Sequence, residues 1–71
     1  MNRKEICLKI MDGIKRCGVE KGVLLKPSET RTAIVAVAGG SSYSIRSYEK
    51  ELVVRRFLEK MDGGYYVRRF E

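Results

Sequence analysis

The sequence predicts an α+β fold, three helices followed by a C-terminal β-hairpin. Three observations carry that expectation. Apolar residues recur every three or four positions over residues 2–17, the period of an amphipathic helix. A Ser-Glu start and a Gly-Gly stop bracket residues 28–38. Near the C-terminus, Asp62-Gly63-Gly64 gives a hairpin-turn signal between two short segments with β-branched and aromatic residues.

The first helix, residues 2–17, aligns Ile6, Ile10, Ile14 and Cys17, with Cys7 and Met11 widening the stripe. Asn2 suits its N-cap, Lys15 and Arg16 its last turn, and Gly18 its C-terminal stop. Gly13 costs about 1 kcal/mol against Ala, too little to break the pattern. Gly18 to Lys26 reads as a loop and then a brief extended segment, because the residue before Pro27 avoids the α region. In the second helix, residues 28–38, the run AIVAVA suits a buried strand as well as a helix by periodicity alone. Ser28 as N-cap and Gly39-Gly40 as stop select the helix. The third helix, residues 42–52, opens after Ser41 or Ser42 and aligns Ile45, Tyr48 and Leu52. Carried further, that face would collect Arg56 and Glu59 while Val54, Phe57, Leu58 and Met61 fell opposite, so the helix is expected to end. Residues 53–71 are then read as a two-stranded basic hairpin, with Arg55, Arg56 and Lys60 on one strand and Arg68 and Arg69 on the other. Adjacent strand residues point to opposite faces, so each pair places one arginine on each side of the ribbon.

Composition narrows the function. The 71 residues hold 15 Lys+Arg against 9 Asp+Glu, a net charge of +6, which favours a polyanionic partner. A chain this short is expected to be a single domain with a thin core, residues 1–71, for which homodimer formation stays open. It has no apolar run long enough to span a membrane, and its start lacks the apolar core of a secretory signal, so a cytoplasmic protein is expected (nucleoid-associated, or in a host's cytoplasm if viral). With no His, and with Cys7 and Cys17 as the only thiols, neither a metal site, a cofactor nor general acid–base catalysis is expected. On one helix those thiols stand about 15 Å apart, too far for an internal disulfide, and both are expected in the core. AGGSS lacks the trailing Gly-Lys of a phosphate-binding loop, and an enzyme is not expected.

The order of elements, with TAIVAVAGGSSYSIRSY at its centre and DGGYYVRR near its end, resembles the winged helix-turn-helix domain. In that likeness Ile34 and Ala38 are the apolar positions of the second helix, Gly39 is at the turn, and Ile45 and Tyr48 lie on the buried side of the recognition helix. DGGYYVRR matches the tip and returning strand of the wing. Two departures stand out: Val35, where the family favours a small residue, and the lack of a glycine between the third helix and the wing. The resemblance implies a sequence-specific double-stranded DNA-binding protein, a transcription regulator. It also covers winged helices that serve as protein–protein docking units, and an RNA- or single-strand-binding module follows chiefly if AIVAVA is a central strand.

The residue chemistry stands beside that likeness. Ser42, Tyr43, Ser44, Arg46, Ser47 and Lys50 lie off the apolar face of the third helix, with short polar groups at its start, as a major-groove reader requires. Arg46 suits a bidentate guanine contact, and the serines and Tyr43 suit base or phosphate equally. Of Arg55, Arg56, Arg68 and Arg69, one of each pair is expected to follow the backbone from the wing, the other being left to solvent or to an acid such as Glu59. Thr30 and Arg31 are expected to reach phosphate or solvent. One of Tyr65 and Tyr66 is expected to pack against the third helix. The charge does not single out this region: residues 1–42 carry eight basic and four acidic residues, residues 43–71 seven and five. Only folding can gather the excess onto one face.

Overall fold

The computed structural model describes residues 1–71 and contains, in chain order, α1 (Arg3–Arg16), β1 (Leu24–Leu25), α2 (Pro27–Ala38), α3 (Ser42–Val54), β2 (Leu58–Met61) and β3 (Gly64–Val67). The fold is α+β, three helices with a small antiparallel sheet, the layout expected of a winged helix. No helix is long and apolar enough to cross a membrane.

Asn2 caps α1 through Oδ1, which accepts the Glu5 N–H at 2.8 Å and satisfies one of the free donors of the first turn. Cys7, Ile10, Met11 and Ile14 turn their side chains into the core. The apolar stripe stops before Cys17, contrary to expectation. That residue caps the helix and is exposed, because Gly18 at φ 87° turns the chain away. Burial pushes the Cys7 thiol pKa up, leaving it a packing group, while Cys17 meets solvent.

The second helix starts earlier than Ser28. Lys26 is its N-cap, held extended (φ −66°, ψ 152°) by the following proline, and Pro27 takes the first helical position, where no N–H is needed. Glu29 Oε1 accepts the Lys26 N–H at 2.9 Å. AIVAVA is helical throughout, with Ile34 buried. Val35 is 41% exposed, so the bulk that departs from the family's small residue is carried at the surface. Gly39 at φ 91° ends the helix.

Ser41 caps α3, its Oγ accepting the Ser44 N–H at 3.1 Å, and Tyr48 and Leu52 are buried. The helix continues through Val53 and Val54, two residues that the sequence pattern places in the hairpin. It closes in a Schellman motif: the Arg56 N–H donates to Val53 O (3.0 Å) and the Phe57 N–H to Leu52 O (3.0 Å). Buried Leu52 and Phe57 supply the hydrophobic contact that accompanies this motif. Its left-handed position, normally glycine, is taken by Arg56 at φ 64°. The glycine missing from the sequence is therefore replaced by a strained arginine. Arg56→Gly is expected to raise the unfolding free energy by roughly 0.5–1 kcal/mol, the relief of left-handed strain less the added chain entropy. Urea unfolding measures it, and a destabilised variant would contradict this geometry.

The hairpin gains a third strand. The sheet order is β1-β3-β2, with Leu24 opposite Tyr66, Leu25 opposite Tyr65, and β2 paired to β3 from Leu58–Val67 to Met61–Gly64. The extended piece before Pro27 thus becomes an edge strand. Leu25, Leu58, Tyr65 and Val67 enter the same core cluster as Ile10, Ile34, Leu52 and Phe57.

The arginine pairs do not lie on strands. Arg55 is the C-cap of α3 and Arg56 follows it, while Arg68 and Arg69 come after β3 and both donate backbone N–H groups to Phe57 O (2.9 and 3.3 Å). Strand alternation therefore does not distribute these four side chains, and their directions come from turns.

Candidate nucleic-acid interface

The outer face of α3 opens onto the hairpin. A concave surface between them is lined by Arg46, Glu49, Lys50, Val53, Val54, Lys60 and Tyr65. A second hollow, bounded by Ser42, Tyr43, Arg46, Ser47 and Lys50, continues it toward the helix start. A third, bounded by Val53, Val54, Arg56, Leu58, Glu59, Arg68 and Arg69, continues it past the helix end. The three share residues, Arg46 and Lys50 on one side and Val53 and Val54 on the other. They form one continuous face.

Folding has gathered charge onto that face. It holds Arg46, Lys50, Arg56, Lys60, Arg68 and Arg69 against Glu49 and Glu59. Two of the cations are engaged. Arg68 pairs with Glu59 at 3.4 Å and leans over the Tyr66 ring. Arg69 stacks on Phe57, 4.2 Å from the ring centroid, and its Nη2 donates to Arg55 O at 2.7 Å, which ties the chain after β3 to the end of α3. Arg46, Lys50, Arg56 and Lys60 take part in no ion pair. Glu49 is turned toward the hairpin, where the Tyr65 hydroxyl donates to its Oε2 at 3.5 Å. Burial, chiefly, and that carboxylate push the Tyr65 pKa up, keeping the phenol neutral. Tyr65 is thus the tyrosine that packs against α3, and Tyr66 is left half-buried.

The expected site residues divide. Ser42, Tyr43, Arg46, Ser47 and Lys50 come together on the helix, and Arg56 and Arg68 join them from the junction and the hairpin side. Tyr43 is 80% exposed, available for contact. Ser44 is half-buried beside the cap and outside these hollows. Thr30 is fully buried, its hydroxyl donating to Lys26 O at 3.4 Å, so it cannot meet phosphate. Arg31 is exposed on α2 but lines none of the three hollows. Arg55 turns aside to Glu51, with Nε 2.5 Å from Oε2. Arg69 is on the face yet committed to holding the junction. The sequence reading counts Lys60 among the basic residues of the hairpin but not among the contacts, and it leaves out Val54. Once α3 extends to Val54, Arg46, Lys50 and Val54 follow at spacings of four, the helical repeat that would have found it.

An exposed stripe of arginine and lysine with tyrosine, serine and valine beside it can bond phosphate and guanine and touch thymine methyl groups. No family model, curated protein or solved structure matches the chain.

Proposed function

We propose that this chain is a winged helix-turn-helix protein that binds double-stranded DNA sequence-specifically as a cytoplasmic transcription regulator. On this reading α3 enters the major groove and the β2–β3 hairpin follows the backbone. The observation that carries it is the gathering of Arg46, Lys50, Arg56 and Lys60, none ion-paired, onto one concave face between helix and hairpin. The helical state of AIVAVA removes the ground for a single-strand-binding module built on a central strand.

Arg46 is the base reader on this account, since its fork matches guanine O6 and N7 together. Arg46→Ala is expected to cost about 1–3 kcal/mol on a duplex selected from a random pool and to relax preference at one position. Competition binding of selected and random duplexes measures this. Equal losses on both would make Arg46 a backbone contact and remove the reader.

A docking module is the second reading, favoured by an apolar groove between α1 and α2 lined by Ile14, Cys17, Val19, Leu25, Ala33 and Val37, among others. Salt separates the two: backbone binding weakens steeply with it, whereas an apolar contact hardly responds.

A further inference from the structure

The start of α1 lies against α3, and one arginine there is unusually well held. Arg3 donates from Nε to Glu51 Oε1 at 3.1 Å and from Nη2 to Ser47 Oγ, and its guanidinium lies over the Tyr48 ring, 4.5 Å from the centroid. Three partners within about one turn of α3, Ser47, Tyr48 and Glu51, thus fix a side chain that would otherwise sample many rotamers. The carboxylate does not cancel the charge, because Glu51 also holds Arg55, leaving two guanidinium groups to one acid. Nor is the arginine sealed in, its side chain being 44% exposed.

Ser47 links this arginine to the reading face, since it also borders the hollow with Tyr43, Arg46 and Lys50. Its Oγ accepts from Arg3, so its own hydroxyl hydrogen is free to donate elsewhere. A polarised hydroxyl beside an oriented guanidinium offers two donors and a positive charge to one oxyanion. On α3, Glu49 turns toward the hairpin whereas Ser47 and Glu51 turn toward α1. Cations therefore stand on both flanks of the helix.

We propose that Arg3 and Ser47 form a phosphate-contact site that grips the DNA backbone on the flank of α3 away from the hairpin. The proposal rests on the DNA-binding reading above and extends it to a residue outside the helix-turn-helix and the hairpin. Bracketing the reader between two backbone contacts fixes its depth and tilt in the groove, which a single flank leaves free.

The test is fluorescence anisotropy of a labelled random-sequence duplex titrated with the full chain, with thermal unfolding of each variant alongside. Arg3→Gln keeps hydrogen-bonding capacity without charge and is expected to flatten the plot of log affinity against log salt by about 0.9. Arg3→Lys keeps the charge and is expected to restore the slope. Ser47→Ala is expected to weaken binding about tenfold, the loss of one hydrogen bond to a charged group. If Arg3 only staples α1 to α3, Arg3→Gln lowers the melting temperature and leaves the slope unchanged, which overturns the proposal. Undiminished affinity in folded Ser47→Ala overturns it too. If the unsubstituted protein binds no duplex in a salt-dependent way, the DNA-binding reading fails together with this site, so the two failures are distinguishable.

Discussion

Gly64→Ala is expected to lower the unfolding free energy by about 3 kcal/mol or more, among the largest losses a single methyl can cause. Gly64 opens β3 where the backbone of the preceding edge strand crosses it. A Cβ built there would stand 1.9 Å from the carbonyl oxygen of Leu25 and 2.9 Å from its carbon. These are backbone atoms, so no rotamer change relieves the overlap; the two strands must separate. Separation breaks the pairing of Leu25 with Tyr65 and draws both side chains out of the core. Urea or thermal unfolding measures the cost. Gly63→Ala is the control: at φ 86° it meets strain but no atom within 4 Å, and its loss is expected near 1 kcal/mol, the left-handed penalty alone. Equal, small losses at both positions would contradict the close approach of β1 to β3.

The sequence pattern carried the helices well because capping and periodicity are local. Asn2, Ser41 and the glycines at 18 and 39 act on chain within a few residues, and all stand where that reading places them or one position away. AIVAVA was undecidable by period; of the two flanks that selected the helix, the Gly39 stop stands, whereas the cap is Lys26 and not Ser28. The reading stopped short where the outcome depends on distant contacts: the piece before Pro27 was extended as expected, but its pairing was not foreseen. Leu24–Leu25 became a strand only because Tyr65 and Tyr66 arrive beside it from the far end of the chain. Val53 and Val54 look like the start of a strand, yet the Leu52–Phe57 contact makes it worthwhile to hold Arg56 in a left-handed conformation and delay the strand.

The candidate site was half legible for the same reason. Positions on α3 follow from a helical wheel, so Tyr43, Arg46, Ser47 and Lys50 were found. The arginine pairs were assigned by strand alternation, and they lie in turns, where alternation has no hold. Arg55 and Arg69 went to Glu51 and Phe57, while Lys60, in a real strand, stayed free. The contact of Arg3 with Ser47 and Glu51 joins the two ends of a helical layer and leaves no trace in spacing.

The claim that the face between α3 and the hairpin binds DNA through its unpaired cations is tested most directly by the salt dependence of duplex affinity with three of those four cations removed, Arg46 being kept as the base reader. Lys50→Ala, Lys60→Ala and Arg56→Gly, combined, discharge the face at exposed positions, and glycine keeps the left-handed turn at 56. Each phosphate contact contributes about 0.9 to the slope of log affinity against log salt, so the unsubstituted protein is expected to show a slope of about −3 or steeper. The triple variant, still folded, is expected to lose about 2.7 of it and to bind every duplex more weakly by a similar factor. A folded triple variant that keeps the full slope, or an unsubstituted protein whose affinity ignores salt, would contradict the assignment and move the apolar groove between α1 and α2 to the front.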